Sequence, residues 1–168
     1  MVTEGLEQTG IPSKKELQES PGYIDEERMK KGPVVVIECI QSITCDACVT
    51  GCPSNCIKVD SLIGPPKIDK DKCIGCSLCI PSCPGLAIFA IDYTYSKDKA
   101  LISFGYELLP LPKIDDIVNA TNREGKIVTK VRIVKVLTNK QFDKTTIITI
   151  EVLKKFIYDV RGIQIKWG

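Results

Sequence analysis

Nine cysteines crowd into residues 39–83. They fall in two groups: Cys39, Cys45, Cys48, Cys52 and Cys56, then Cys73, Cys76, Cys79 and Cys83. Thiolates are soft ligands that select iron–sulfur clusters or zinc over hard cations. The second group reads C-x2-C-x2-C-x3-C-P, ending at Pro84. Three thiolates at that spacing wrap a tight loop around three irons of one cubane. The fourth, followed by proline, turns away to serve a second cluster.

The first group is a degenerate copy of the second. A displacement of 31 residues lays Cys45 on Cys76, Cys48 on Cys79, Cys52-Pro53 on Cys83-Pro84 and Ile57 on Ile88. Two positions break the match: Ser42 falls where Cys73 stands, and Cys56 falls on Ala87. Cys39, three residues upstream of the missing cysteine, restores a set of eight, and the first run becomes C-x5-C-x2-C-x3-C-P. The pattern predicts two 4Fe–4S clusters with crossed ligands. Cluster I takes Cys39, Cys45, Cys48 and Cys83; cluster II takes Cys52, Cys73, Cys76 and Cys79. For the fourth ligand of cluster I the residues leave three alternatives: the Ser42 oxygen, Cys56, or a three-iron cluster with an open corner. Cys56 otherwise reads as a small buried apolar side chain, since its repeat partner is alanine. Zinc also uses C-x2-C pairs, but it does not need two proline-punctuated runs related by a repeat. A disulfide framework fits poorly, because the count is odd and no secretory signal precedes the cysteines.

The elements that must position these thiols are short. Val34-Val35-Val36-Ile37 is a buried-strand run that leads directly to Cys39. A helical turn is expected after Pro53, a strand at Ile57–Asp60, a hard turn at Gly64-Pro65-Pro66, and a second half opening at Lys67 and closing with a strand at Leu86–Tyr93. Residues 33–93 thus form two β–loop–helix–β halves around the clusters. The aliphatic side chains Ile40, Ile43, Ile57, Ile63, Ile74, Ile80, Leu86 and Ile88 are expected to exclude water from them.

Residues 1–32 are polar, and Met1-Val2-Thr3-Glu4-Gly5 has neither the basic flank nor the apolar core of a signal peptide. Ser13 and Glu16 mark a capped helix start, Pro21-Gly22 breaks it, and Asp25–Lys31 reads as a second turn closed by Gly32. Such a stretch cannot bury a core of its own, and its caps favour an arm that docks on a partner over a flexible leader. Residues 94–168 hold five strand-like segments. Asn122–Gly125 reads as a hairpin turn, and a change of phase at Ile133/Val134 predicts a bulge. This reads as a small β-rich docking domain, an all-β barrel or sandwich. Trp167 reads as a plug on that barrel or as an interface anchor. The fold class is therefore α+β, a dicluster domain followed by an all-β domain.

Composition narrows the chemistry. The absence of histidine removes the commonest general acid–base, and no catalytic constellation is visible elsewhere. No run of 18 apolar residues exists, so no membrane span is expected. So many reduced thiolates point to the cytoplasm. Residues 94–168 carry 14 Lys/Arg against 8 Asp/Glu. Their lysines alternate with apolar residues, as on a solvated sheet face, and do not form the basic patch with stacking aromatics that nucleic acid requires.

Three stretches resemble a known family: Lys31–Cys39 (KGPVVVIEC), Ile43–Pro53 (ITCDACVTGCP), and Cys73–Cys76 continuing through Cys83–Phe89 (CPGLAIF). A weaker likeness extends over Phe104–Pro112. The family is the dicluster ferredoxin subunit of multi-subunit FAD-dependent dehydrogenases of the proline, hydroxyproline and glycerol-3-phosphate type. The Ile-Glu-Cys lead with its five-residue gap is the more specific sign. The resemblance implies a hetero-oligomer in which this chain relays electrons between flavins. FAD would sit on partner subunits only, a small 2Fe–2S subunit is a further candidate partner, and Cys39 is the replacement ligand. Cys56 departs from the family pattern. The alternative is a free, soluble dicluster ferredoxin. Such carriers are usually small and acidic, because acidity steers docking, whereas this chain carries net +2 and about 75 further residues.

Overall fold

The computed structural model describes residues 5–165. Residues 1–4 of the arm and Trp167 lie outside the described residues. Nine strands form: β1 Val34–Ile37, β2 Ile57–Lys58, β3 Lys67–Ile68, β4 Ile88–Asp92, β5 Lys99–Tyr106, β6 Ile117–Thr121, β7 Ile127–Leu137, β8 Thr146–Leu153 and β9 Gly162–Gln164. Among the described residues four short α-helices accompany them, α1 Leu6–Thr9, α2 Lys14–Glu19, α3 Glu26–Met29 and α4 Ala47–Thr50, with 3-10 turns at Lys140–Phe142 and Lys154–Phe156.

β2 and β3 pair with each other, and the other seven strands make one sheet in the order β1-β4-β5-β8-β7-β6-β9. Every pairing in it is antiparallel. This corrects the expected barrel or sandwich. Five strands do follow residue 94, but β5 pairs back on β4 with Ile91 opposite Ile102. The sheet therefore continues from the cysteine-bearing half into the C-terminal half. β1 and β9 each have a single neighbour and leave it open at both edges. β8, at its centre, is buried along nearly its whole length. Alternation holds on β5, where Ala100, Ile102, Phe104 and Tyr106 face the core.

The predicted turn chemistry is present. Asn122 Oδ1 accepts from the Glu124 and Lys126 backbone N–H groups, and Gly125 takes φ 78°. The bulge falls on β7 between Ile133 and Lys135. Lys126, Lys130, Lys135 and Lys140 are exposed, as the solvated-face reading expects.

Residues 5–32 lie against their own chain. Ser13 and Glu16 form a capping box on α2, Asp25 caps α3, and Ile24 and Met29 are fully buried. The arm thus takes its core from the strand it covers. Among the described residues no helix is long and apolar enough to cross a membrane.

Candidate metal centre

The two cysteine motifs share most of their backbone hydrogen bonds over residues 46–57 and 77–88. Val49 N–H donates to Asp46 O at 2.8 Å, and Ile80 N–H to Ser77 O at 3.1 Å. Cys52 N–H reaches Val49 O at 3.3 Å, and Cys83 N–H reaches Ile80 O at 3.1 Å. Asn55 N–H to Cys52 O and Leu86 N–H to Cys83 O are both 3.1 Å. Asn55 and Leu86 share the left-handed conformation, φ 49° and 50°, which turns the chain after each Cys-Pro into the strand that follows. The sulfur of each fourth cysteine then accepts a backbone N–H at 3.4 Å, from Cys56 to Cys52 and from Ala87 to Cys83.

The helical elements differ from expectation. α4 lies within the first loop and carries Cys48; the residues after Pro53 make only a turn, and the second loop has no helix. Ser77 takes φ 67° where its counterpart Asp46 does not, so the second loop leaves the helical path at its start.

The nine thiols gather by their electrostatic neighbours. Burial raises the Cys39 pKa, and the nearby Cys83 and Cys45 sulfurs add to it. Burial takes Cys48 to about 11, with Cys83, Cys45 and Cys39 as its charged neighbours. Burial takes Cys79 to about 12, reinforced by Cys52, Cys73 and Cys76. One foursome is thus Cys39, Cys45, Cys48 and Cys83; the other is Cys52, Cys73, Cys76 and Cys79. Each draws one member from the other motif. Cys56 is a fifth thiol beside the second set, with Cys52 and Cys73 as its neighbours and its sulfur 3.2 Å from Cys52 Sγ. Burial opposes ionisation of Cys52, but hydrogen bonds from the Cys56 thiol and backbone prevail and lower its pKa. Among the described residues no three ligating side chains are close enough to hold a single metal ion. Cubane ligands sit on four separate corners, and a buried thiol that resists ionisation alone is relieved when a metal takes the place of its proton. The donor set fits two clusters in number, softness and grouping.

Two arginine networks hold the entry to each motif, and sequence reading missed both. Glu38, the residue before Cys39, is bound by Arg123 through Nε at 2.7 Å and Nη2 at 2.5 Å, and by Arg161 Nε at 2.7 Å. Burial works to raise the Glu38 pKa, yet the two guanidiniums hold it below the usual carboxylate range. Burial pushes Arg161 down, with Glu38 opposing. On the other side Arg28, itself buried, donates through Nη2 to Cys73 O at 2.7 Å and through Nε to Lys70 O at 2.6 Å. Val35 N–H donates to Cys73 Sγ at 3.4 Å. Gly75 takes φ +65° against the start of β1, and a Cβ there would lie 2.5 Å from Pro33 Cβ.

The expected apolar shell forms only in part. Ile57, Ile80 and Ile88 are buried, whereas Ile43, Ile63 and Ile74 are exposed. Cys76 is the exposed thiol of the second foursome, flanked by exposed Ile74 and Leu78. Ser42, the alternative oxygen ligand, is exposed.

A family model described as a 4Fe-4S binding domain matches residues 66–89, which include Cys73, Cys76, Cys79 and Cys83. The chain carries an iron–sulfur ferredoxin segment. Over 38 residues it is 42% identical to the polyferredoxin-like subunit of an aliphatic sulfonate oxidoreductase from Pyrococcus furiosus. That match spans 23% of this chain and 22% of the relative. No solved structure matches the chain.

Proposed function

We propose that this chain is the electron-transfer subunit of a multi-subunit, FAD-dependent dehydrogenase. On this reading it holds two 4Fe–4S clusters, relays electrons between flavin sites on its partners and has no catalytic site of its own. The carrying observation is the crossed grouping of eight thiols. Each set of four draws one cysteine from the other motif, as the repeat requires. Each bound cluster supplies a one-electron carrier. The residues of this chain orient and shield it: α4 and the matched turns aim the sulfurs, backbone N–H groups bond them, and Ile57, Ile80 and Ile88 keep water out. The exposed Cys76, between Ile74 and Leu78, supports electron exchange on that side.

Domain roles follow the same reading, with residues 33–93 as the cluster domain, 94–168 as a docking region and 1–32 as an arm whose outward face meets a partner. Exposed Leu108, Leu109, Ile114 and Ile117 support docking in the C-terminal region. Lys14, Lys15, Gln18 and Glu19 form the exposed side of α2. The relative named above is itself a subunit of an oxidoreductase, which supports the subunit role; the number of free thiols supports a cytoplasmic reading.

The test is anaerobic purification of the native protein, with iron, flavin and subunit content read together. About eight irons per chain and co-purifying flavoproteins are the expected result. A lone chain with the same iron would mean a free dicluster ferredoxin. Cys39→Ala is expected to halve the iron; full iron in that variant would move the ligand role to Ser42 or Cys56.

A further inference from the structure

Over residues 46–57 and 77–88 the two motifs differ by one sulfur at equivalent positions. Cys56 and Ala87 each donate a backbone N–H to the sulfur four residues earlier, at the same 3.4 Å. Beyond that the resemblance ends. Cys56 adds a second sulfur 3.2 Å from Cys52 Sγ, and both are buried. Ala87 offers Cys83 only a methyl group. A thiol is a weak donor and a sulfur a weak acceptor; a metal-bound thiolate, being ionised, makes the stronger acceptor. The Cys56 thiol, 3.2 Å from a sulfur that a cluster would hold as thiolate, is placed to donate its S–H there.

We propose that Cys56 is a positioning residue for the redox poise of cluster II. Its S–H bonds to Cys52 Sγ and raises that cluster's reduction potential, a contribution that cluster I, with Ala87, lacks. Reduction adds one electron and neither makes nor breaks a bond. The added negative charge falls partly on the ligand sulfurs, and a donor aimed at one of them favours the reduced state. The bias draws the electron toward the cluster whose Cys76 ligand is exposed. The inference rests on the two-cluster reading with Cys52 on cluster II.

The experiment is an anaerobic redox titration of the full chain followed by electron paramagnetic resonance, with iron counted in every sample. Wild type, Cys56→Ala, Cys56→Ser and Ala87→Cys are compared. In Cys56→Ala with full iron, one couple is expected to move negative and the other to stay. The shift corresponds to a loss of up to about tenfold in the reduction equilibrium, about 59 mV for one electron. Cys56→Ser, whose hydroxyl also donates, restores most of it, and Ala87→Cys moves the other couple positive. Full iron with both couples unmoved in Cys56→Ala would reduce Cys56 to packing and overturn the proposal. Loss of iron from that variant would make Cys56 a ligand and overturn it in another way. Only half the expected iron in wild type would bring down the two-cluster reading itself, and the proposal with it.

Discussion

The two motifs share the turn after each Cys-Pro and the backbone bond to its sulfur, and they differ in what holds their first cysteine. Cys73 sits in the loop that carries its partners, pinned by Arg28 and by the approach of Gly75 to Pro33. Cys39 sits just past the end of β1, outside its loop, where Glu38 is locked to Arg123 and Arg161. Those arginines are 85 and 123 residues away in sequence. A motif that keeps its first cysteine can be organised locally. In the first motif a serine stands at position 42, Cys39 lies beyond the end of β1, and Arg123 and Arg161 from the C-terminal half hold the residue before it. The C-terminal half therefore contributes to the placing of Cys39 as well as to the sheet.

The largest effect expected concerns the crossing. Cys52→Ala should lose cluster II and Cys83→Ala cluster I, so each variant keeps half the iron but with different spectra. Had each motif ligated its own cluster, the two spectra would exchange. Iron assay with electron paramagnetic resonance on both variants decides between these outcomes.

The anchors come next. Glu38→Gln leaves the buried Arg161 and the half-buried Arg123 without a carboxylate, and removing one partner of a buried pair typically costs about 3–5 kcal/mol. Arg28→Leu orphans the Cys73 and Lys70 carbonyls and should cost about 2–3 kcal/mol, in the range for charged hydrogen bonds. Anaerobic denaturant unfolding of the loaded protein measures both. The comparison sharpens in the pattern of iron release: Glu38→Gln should labilise cluster I first, and Arg28→Leu cluster II. Gly75→Ala follows at about 1–3 kcal/mol, the usual strain of a left-handed non-glycine residue, with contact against Pro33 added. Unfolding that matches wild type would mean that the loop can move off β1.

Much of this site was legible because cysteine spacing and strand patterns are local. Val34–Ile37, the Asn122–Gly125 turn, the bulge on β7 and the capping box at Ser13 all follow from neighbours within a few residues. The single open sheet was not legible, because whether five strands close on themselves or extend β4 depends on pairings such as Ile91 with Ile102 and Ile102 with Ile150. The Glu38 anchor was hidden for the same reason. A glutamate before a cysteine gives no sign of partners so distant, and Arg123 reads as part of a polar turn. The short helix was misplaced because Pro53 suggested a helix start, while the chain after it is turned by Asn55 in the left-handed region.

The smallest effects expected lie where the repeat predicts both burial and exposure. Ile57 and Ile88 are repeat mates, and each is 1% exposed. Ile43 and Ile74 are mates too, at 43% and 67% exposed. A shell that excludes water on all sides would make all four costly to change. The open geometry predicts instead that Ile43→Thr and Ile74→Thr each alter stability by no more than about 0.5 kcal/mol, as is usual on a surface. Their effect should appear in kinetics. Cys76 is exposed beside Ile74, so Ile74→Thr should slow electron exchange with a partner more than Ile43→Thr, at unchanged iron and stability. Stopped-flow reduction of both variants tests this. Equal slowing would mean that the two clusters meet their partners alike, and that the difference between the motifs ends at their anchors.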